Sequence, residues 1–388
     1  MKKNIVIGQF NDSYVPIMDG VTITVRNYAY WLDKIMGPTY VITPWVPLHH
    51  DNEPFPVIRY FSLPTIFRPP YRLGIPELDP KAQLALKNRD FKLVHTHSPF
   101  SAGRMALKIA KEKRIPIVAT FHSKFRDDLM RVMPIKGIVD DQIKQIVDFF
   151  HEVDEVWVPQ EGVSKTLREY GYKGPYRVME NGVDLTPPAD CSKLARLAEE
   201  ELGLAPGAPM GLFVGQHILE KNLEFLVRSL AEVCKALPEF RMVFVGEGYA
   251  KDQLKELSRS LGIRKRIIFH DVVYDRDIIQ RYYARSDLFL FPSKYDNAPL
   301  VMREAAAFKT PSVVLEGSTT AEVIQDRVNG YISEDRLDAY AATIIEALSD
   351  KKQREAIGLA ASKTLFRSWE SIVGDVKKRY KEILSHWA

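Results

Sequence analysis

The sequence predicts an α/β protein built from two doubly wound parallel-sheet domains, and three observations carry that expectation. At 388 residues the chain exceeds what one ordinary core organises and suits two domains of common size. Short apolar runs of strand length alternate with helical stretches from end to end, the order that βαβ units impose. Consecutive prolines, Pro187 and Pro188, divide these runs into two sets, because proline fixes φ and lacks an amide hydrogen.

In the first set, residues 4–8 (NIVIG) read as the opening strand and 25–35 as the first helix. Residues 93–97 (LVHTH), 117–122 (IVATFH) and 155–158 (EVWV) are later strands, each running into a polar or turn-forming position. Those ends are expected to line one crevice. In the second set, strands are predicted at 211–215, 242–246, 267–269, 288–291 and 312–315. The hinge is placed in 184–190, which gives an N-terminal domain over 1–183 and a second over 184–368. A closing helix over 369–388 presents Ile372, Val376, Tyr380, Ile383 and Leu384 on one face at helical spacing.

A hydrophobic fraction of 46% and a charged fraction of 27% are those of a soluble globular protein. Neither a leader nor an apolar stretch of membrane-spanning length is seen, so a cytosolic location is expected. Cys191 and Cys234 stand apart from any paired motif, which argues against a disulfide framework or a zinc site. The net charge of +4 is uneven: residues 1–180 hold 25 Lys and Arg against 20 Asp and Glu, leaving 29 against 30. Nine basic residues against three acids fall within 104–136, Lys124 and Arg126 among them. This run suits either anionic lipid headgroups or a phosphorylated acceptor on one reading, and a solvated helix face on the other. Residues 63–76 fit neither strand nor helix and read as an irregular loop combining apolar side chains with Arg68 and Arg72. Such a loop either inserts shallowly at a bilayer surface or packs on the first domain.

Chemistry concentrates in two segments of the second set. Residues 292–305 (PSKYDNAPLVMREA) place Asp296 and Glu304 eight positions apart, the first in a loop after a strand and the second on a helix. A helix acid there can accept hydrogen bonds from vicinal ribose hydroxyls, while a loop acid can reach a carried sugar. The alternative makes Asp296 a turn former and Glu304 an exposed helix acid. Residues 215–222 (GQHILEKN) follow a strand, so Gly215 lets the backbone approach a ligand and Lys221 can neutralise a diphosphate. The alternative for Lys221 is a surface lysine at a helix start. Asp275 and Asp277 form an acid pair directly before a helix and read as a cap, not a metal site.

Taken together with Met18-Asp19-Gly20-Val21, Thr120-Phe121-His122, Glu180 to Asp184 and Val245-Gly246-Glu247-Gly248, these segments resemble the retaining glycosyltransferases of family 4, which have the GT-B fold. That fold is two Rossmann-like domains facing across a cleft, with a terminal helix crossing back onto the first. The resemblance implies a ribose contact for Glu304, a sugar contact for Asp296, and a charge-stabilising role for Lys221. It implies that Gly20 lies in a loop near the phosphates and that His122 faces the transferred sugar. Gly215, Gln216, Asn297 and Leu300 complete the implied donor site. Gln216 stands where the family commonly has arginine, and Pro299 removes one amide donor, leaving that of Leu300.

Within the family, Asp19-Gly20-Val21, His95-Thr96-His97-Ser98-Pro99 and Phe121-His122-Ser123 make the chain similar to bacterial enzymes that glucosylate diacylglycerol and related membrane lipids. The implied reaction is hexosyl transfer with retention, from UDP-glucose or a related sugar nucleotide to a lipid hydroxyl. His97, Phe67, Arg68, Tyr71, Arg72, Lys124 and Arg126 are the candidates for contact with the acceptor or an anionic membrane surface on the inner face of the cell membrane. No essential metal or other cofactor and no nucleic-acid partner are expected. A polyprenyl-linked or teichoic acid acceptor, a sugar-nucleotide epimerase and a non-catalytic sugar-nucleotide sensor are the competing expectations.

Overall fold

The computed structural model describes residues 5–65, 70–273, 275–294 and 296–387. It comprises two compact units: Met1–Gly182 with Trp369–Ala388, and Val183–Ser368.

The first unit contains β1 (Val6–Phe10), β2 (Thr39–Pro44), β3 (Val57–Tyr60), β4 (Ser62–Pro64), β5 (Arg72–Gly74), β6 (Phe91–Thr96), β7 (Ile117–Thr120), β8 (Glu155–Val158) and β9 (Arg177–Val178). Seven of these form one sheet in the order β3-β2-β1-β6-β7-β8-β9, parallel throughout. The second unit contains β10 (Met210–Val214), β11 (Arg241–Val245), β12 (Ile267–His270), β13 (Leu288–Leu290), β14 (Ser312–Leu315) and β15 (Tyr331–Ser333). They form a parallel sheet in the order β12-β11-β10-β13-β14-β15. Both orders reverse direction once, between β1 and β6 and between β10 and β13. In open α/β sheets, ligands collect beyond the carboxyl ends of the strands at such a reversal. Helices cover the sheets because strands buried on both faces, such as the wholly buried Leu288–Leu290, need apolar partners above and below.

Four departures from the sequence reading have physical causes. The first helix is Gly20–Ile35, five residues longer than expected, because the Asp19 carboxylate accepts from the Thr22 amide at 2.7 Å and caps it. Gly20 is therefore the first helical residue and not part of a loop. The units part at Gly182/Val183, ahead of the prolines: Leu185 is 1% exposed and belongs to the second core. Residues 62–74 are partly a hairpin, with β4 and β5 antiparallel and Leu63 opposite Leu73. Several strands, the six-residue β2 and the four-residue β3 among them, passed unread.

The terminal helix Trp369–Trp387 belongs to the first unit. Its Trp369 is 1% exposed and lies against Gly182, where a Cβ would stand 2.7 Å from the Trp369 Cα. Tyr380 of the same helix is fully buried, its ring stacked on Trp157 of β8 at 5.6 Å between centroids.

Candidate functional site

In the second unit the loop after β10 is shaped by backbone crowding. Gly215 has φ +152° and Gly246, at the end of β11, has φ +140°. A Cβ on Gly246 would lie 2.0 Å from the Gly215 carbonyl oxygen, so only glycine lets these two strand ends meet. The chain then runs through the exposed Gln216 and a short 3-10 turn, Leu219–Lys221. Asn222 at φ 60° turns it into the helix Leu223–Ala236. This geometry points Lys221 inward, leaving the residue 8% exposed.

The Lys221 Nζ donates to both carboxylate oxygens of Asp296, at 2.7 and 2.8 Å. Ser293 Oγ donates to the same carboxylate at 2.6 Å. The sequence reading gave Lys221 to the diphosphate and Asp296 to the sugar as separate groups; the fold joins them as one ion pair. Losing either partner leaves an under-compensated charge, which at buried sites costs about 3–5 kcal/mol. Asn297, 7% exposed, follows. Pro299 then leads into the helix Leu300–Ala307, whose first turn carries no side-chain cap. First-turn amides in that arrangement are donors suited to an anion.

One turn into this helix, Glu304 is 4% exposed, which excludes the reading of an exposed helix acid. Its Oε1 accepts from Arg276 Nη2 at 2.6 Å and its Oε2 from the Tyr283 hydroxyl at 2.7 Å. Arg276 also donates to Asp184 at 2.5 Å. Burial opposes charge on Arg276, yet Glu304 and Asp184 together raise its pKa. Burial, then the adjacent Glu304, pushes the Tyr283 hydroxyl well above its ordinary range, so it stays a proton donor. Glu304 is thus a fixed carboxylate with lone pairs left for further donors. Asp275 accepts from the Asp277 amide and caps the helix Arg276–Arg285, which sets Arg276 at its first position.

In the first unit, the polar residues gather at the ends of β1, β6 and β7. His95 and His97 stack with centroids 4.2 Å apart, and His97 stacks on His122 at 5.2 Å. His97 Nδ1 lies 3.0 Å from His122 Nε2, and His97 Nε2 lies 2.9 Å from Gln9 Oε1. Burial holds all three rings neutral: His95 and His97 are well below the usual imidazole range, and His122 is at about 3. Nearby, Tyr71 donates to Asp19 at 3.0 Å, beside Gly20, and a Cβ on Gly20 would meet nothing within 4 Å.

Of the other acceptor-side candidates, Arg72 and Arg126 are engaged by nearby groups. Arg72 donates to the Ser62 hydroxyl and carbonyl within the hairpin, at 2.8 and 3.0 Å. Arg126 pairs with Asp140, and Lys124 precedes the helix Phe125–Val132. Phe67 and Arg68 lie outside the described residues. Much of the basic run is spent locally: Lys111 pairs with Glu152 at 2.5 Å and Arg104 donates to Gln145 at 3.2 Å.

Arg276, Tyr283 and Asp184 around Glu304, and Gln9, His95 and Tyr380 around His97, were not read as site residues. For His95 a signal existed: on a strand, residues two apart share a face, and His95 accompanies His97. Nothing local marks the other five.

Two family models match adjacent parts of the chain: Glycosyltransferase Family 4 over residues 18–187 and Glycosyl transferases group 1 over 196–364. Between them they span both units. The chain is a family 4 glycosyltransferase with the GT-B fold. The enzyme is 27% identical over 347 residues to an alpha-monoglucosyldiacylglycerol synthase of Streptococcus pneumoniae, covering 88% of this chain and 78% of the relative. To the synthase of the same name from Acholeplasma laidlawii it is 26% identical over 345 residues, covering 84% and 83%. Among solved structures, Anabaena HepE in complex with UDP and glucose matches this glycosyltransferase with a TM-score of 0.77. That match covers 98% of this chain and 100% of the other, at 17% identity, and is a likeness of fold.

Proposed function

We propose that this glycosyltransferase moves a hexose, with glucose as first choice, from a UDP-sugar to the hydroxyl of a membrane lipid such as diacylglycerol, with retention of the anomeric configuration. The observation that carries the donor half is the buried Glu304 carboxylate, on the helix that follows the Asp296 loop and held by Arg276 and Tyr283 of another helix, with Lys221 paired to Asp296. Rigid placement is what a ribose diol needs from its acceptor. The acceptor half is supported by the similarity to monoglucosyldiacylglycerol synthases over most of the chain.

In this reading Glu304 receives the ribose hydroxyls, and the amides around Leu300 and Gly215 approach the diphosphate. Lys221 turns part of its charge from Asp296 to the departing phosphate, and Asp296 meets a hydroxyl of the sugar. The bond from the sugar's anomeric carbon to the phosphate oxygen breaks, and a bond to the acceptor oxygen forms on the same face. The acceptor proton passes to the departing diphosphate, so UDP leaves and no carboxylate nucleophile is used. Asp296, already committed to Lys221 through both oxygens, suits a binding role. Loss of one such preorganised donor costs about 3 kcal/mol in transition-state stabilisation. Proximity supplies much of the remainder.

Contact with a membrane surface is part of the proposal. Among the described residues no helix is long and apolar enough to cross a membrane. The hairpin carries Leu63 and Leu73, 44% and 56% exposed, opposite one another. Met130, Ile135 and Ile138 are exposed beside Arg131 and Lys136. Apolar side chains interleaved with cations suit shallow binding to anionic lipid.

The test measures binding of a panel of sugar nucleotides, then incubates the best donor with diacylglycerol in anionic vesicles and determines the product's anomeric configuration by nuclear magnetic resonance. An α-glucosyl lipid is expected from an α-linked donor. Turnover of the donor without any acceptor, giving an isomeric sugar nucleotide, would replace transfer by epimerisation.

A further inference from the structure

The histidine stack of the first unit does not end at His97. Gln9 accepts from one side and donates on the other: its Oε1 lies 2.9 Å from His97 Nε2, and its amide nitrogen donates to the Tyr380 hydroxyl at 3.2 Å. The Tyr380 oxygen lies 2.5 Å from His95 Nδ1, and His95 Nε2 lies 2.7 Å from the Thr120 hydroxyl. Gln9, His95, His97, Thr120 and Tyr380 are all at most 4% exposed.

Each link constrains the next. A neutral imidazole has one N–H and one acceptor nitrogen. Because Gln9 presents its oxygen to His97, the His97 proton sits on Nε2, and its Nδ1 must accept from His122 Nε2. The His122 proton is thereby assigned to Nε2 and its Nδ1 becomes the acceptor. On the other side, the Gln9 amide donates to Tyr380, so the single phenolic proton goes to His95 Nδ1, and His95 Nε2–H donates to Thr120. Reversing the Gln9 amide would reverse every member at once. Buried donors without acceptors are costly, so the chain holds one sense throughout.

We propose that Tyr380, on the terminal helix, is a positioning residue for His122: through Gln9 and His97 it fixes which ring nitrogen of His122 carries the proton. The inference rests on His122 serving the transferred sugar only for its effect on turnover; the proton assignment rests on the Gln9 amide, with its oxygen toward His97 and its nitrogen toward Tyr380. Rings on either side hold the chain in place, with Tyr28 edge-on to His97 at 5.4 Å and Trp157 edge-on to His95 at 4.9 Å. A segment 285 residues from His95 in sequence thus sets the acceptor and donor faces of a candidate site residue.

The test is Tyr380→Phe in the full-length enzyme with isotope-labelled histidine, reading the two ring nitrogens of His122 by long-range proton–nitrogen correlation. In the parent, Nε2 is expected protonated and Nδ1 unprotonated; in Tyr380→Phe a mixture of both forms is expected. Turnover is expected to fall about tenfold with donor KM nearly unchanged, the scale of removing an outer partner of an orienting histidine. Gln9→Met cuts the same chain at another member and is expected to give the same mixture should Tyr380→Phe prove unstable. The double variant is expected to lose no more than the worse single. An unaltered His122 signal in both variants overturns the inference. A shifted His122 signal with unaltered turnover upholds it and removes His122 from the reaction.

Discussion

The polar centres of the two units are built from opposite materials. In the first, neutral histidines, an amide and hydroxyls pass hydrogen bonds in one direction, with burial holding the rings uncharged. In the second, Lys221 faces Asp296 and Arg276 faces Glu304 and Asp184, cation against carboxylate in each case. A neutral chain is stiff, because moving one proton disturbs every member. A charged pair can trade one partner for another of the same sign, and on the proposed function that second partner of Lys221 is the diphosphate. In the proposed reading the exchangeable charge serves the departing diphosphate, and the fixed polarity orients a neutral hydroxyl.

Acid should break the two units unequally, and this is the largest effect expected. His95, His97 and His122 have folded pKa values below the unfolded value, so the unfolded chain binds more protons as pH falls. Their contribution is complete above about pH 6.5 and is lost as pH drops from there toward the folded values, by about 1.4 kcal/mol per pH unit for each group. Among the described residues of the second unit, the comparable group is His217, lowered to about 4 by burial and then by Lys251 and Lys255. Hydrogen exchange at pH 7 and pH 5 should therefore show the first unit losing more protection. Equal losses would remove the distinction.

Lys221→Ala probes the charged centre and should lower kcat by the equivalent of about 3 kcal/mol. Thermal unfolding of the same variant separates lost chemistry from the unpaired Asp296, and turnover within a few-fold of the parent would refute the role given to this lysine. Glu304→Gln keeps the shape but weakens the acceptor. Donor KM should rise about tenfold, near 1.4 kcal/mol, with a smaller change in kcat, as for loss of uniform binding. Smallest in stability is Gly20→Ala. Open space surrounds the new Cβ and the position is helical, so unfolding should be unchanged or raised by up to about 1 kcal/mol. Weaker donor binding in that stable variant would mean that the glycine makes room for the ligand; unchanged binding would assign it to the helix alone.

Much of the fold was legible because parallel strands buried on both faces are continuous apolar runs. Residues 312–315 and 155–158 were read to the residue, and 288–291 to within one. The first helix was read five residues short because Asp19 looked like part of a glycine loop, when its carboxylate was the cap. The hairpin at 62–74 escaped because its strands are three residues each and prolines crowd it. Within the candidate site, the spacing of Asp296 and Glu304 announced a loop acid and a helix acid, and the fold has both. That spacing carried no sign of Arg276 or Tyr283, which come from a different helix.

By itself, then, the sequence determined the alternation of strands and helices, the proline-marked change from one set to the next, and which residue types stand at strand ends. These follow from side-chain periodicity and backbone sterics, which act over a few residues. Tertiary structure alone decided the partners. Lys221 meets Asp296 across 75 positions because β10 and β13 pair at the sheet's reversal, and Gln9 meets Tyr380 across 371 because the terminal helix packs on the first unit. Once buried there, a charge or an amide must find its complement from whatever segment the packing delivers.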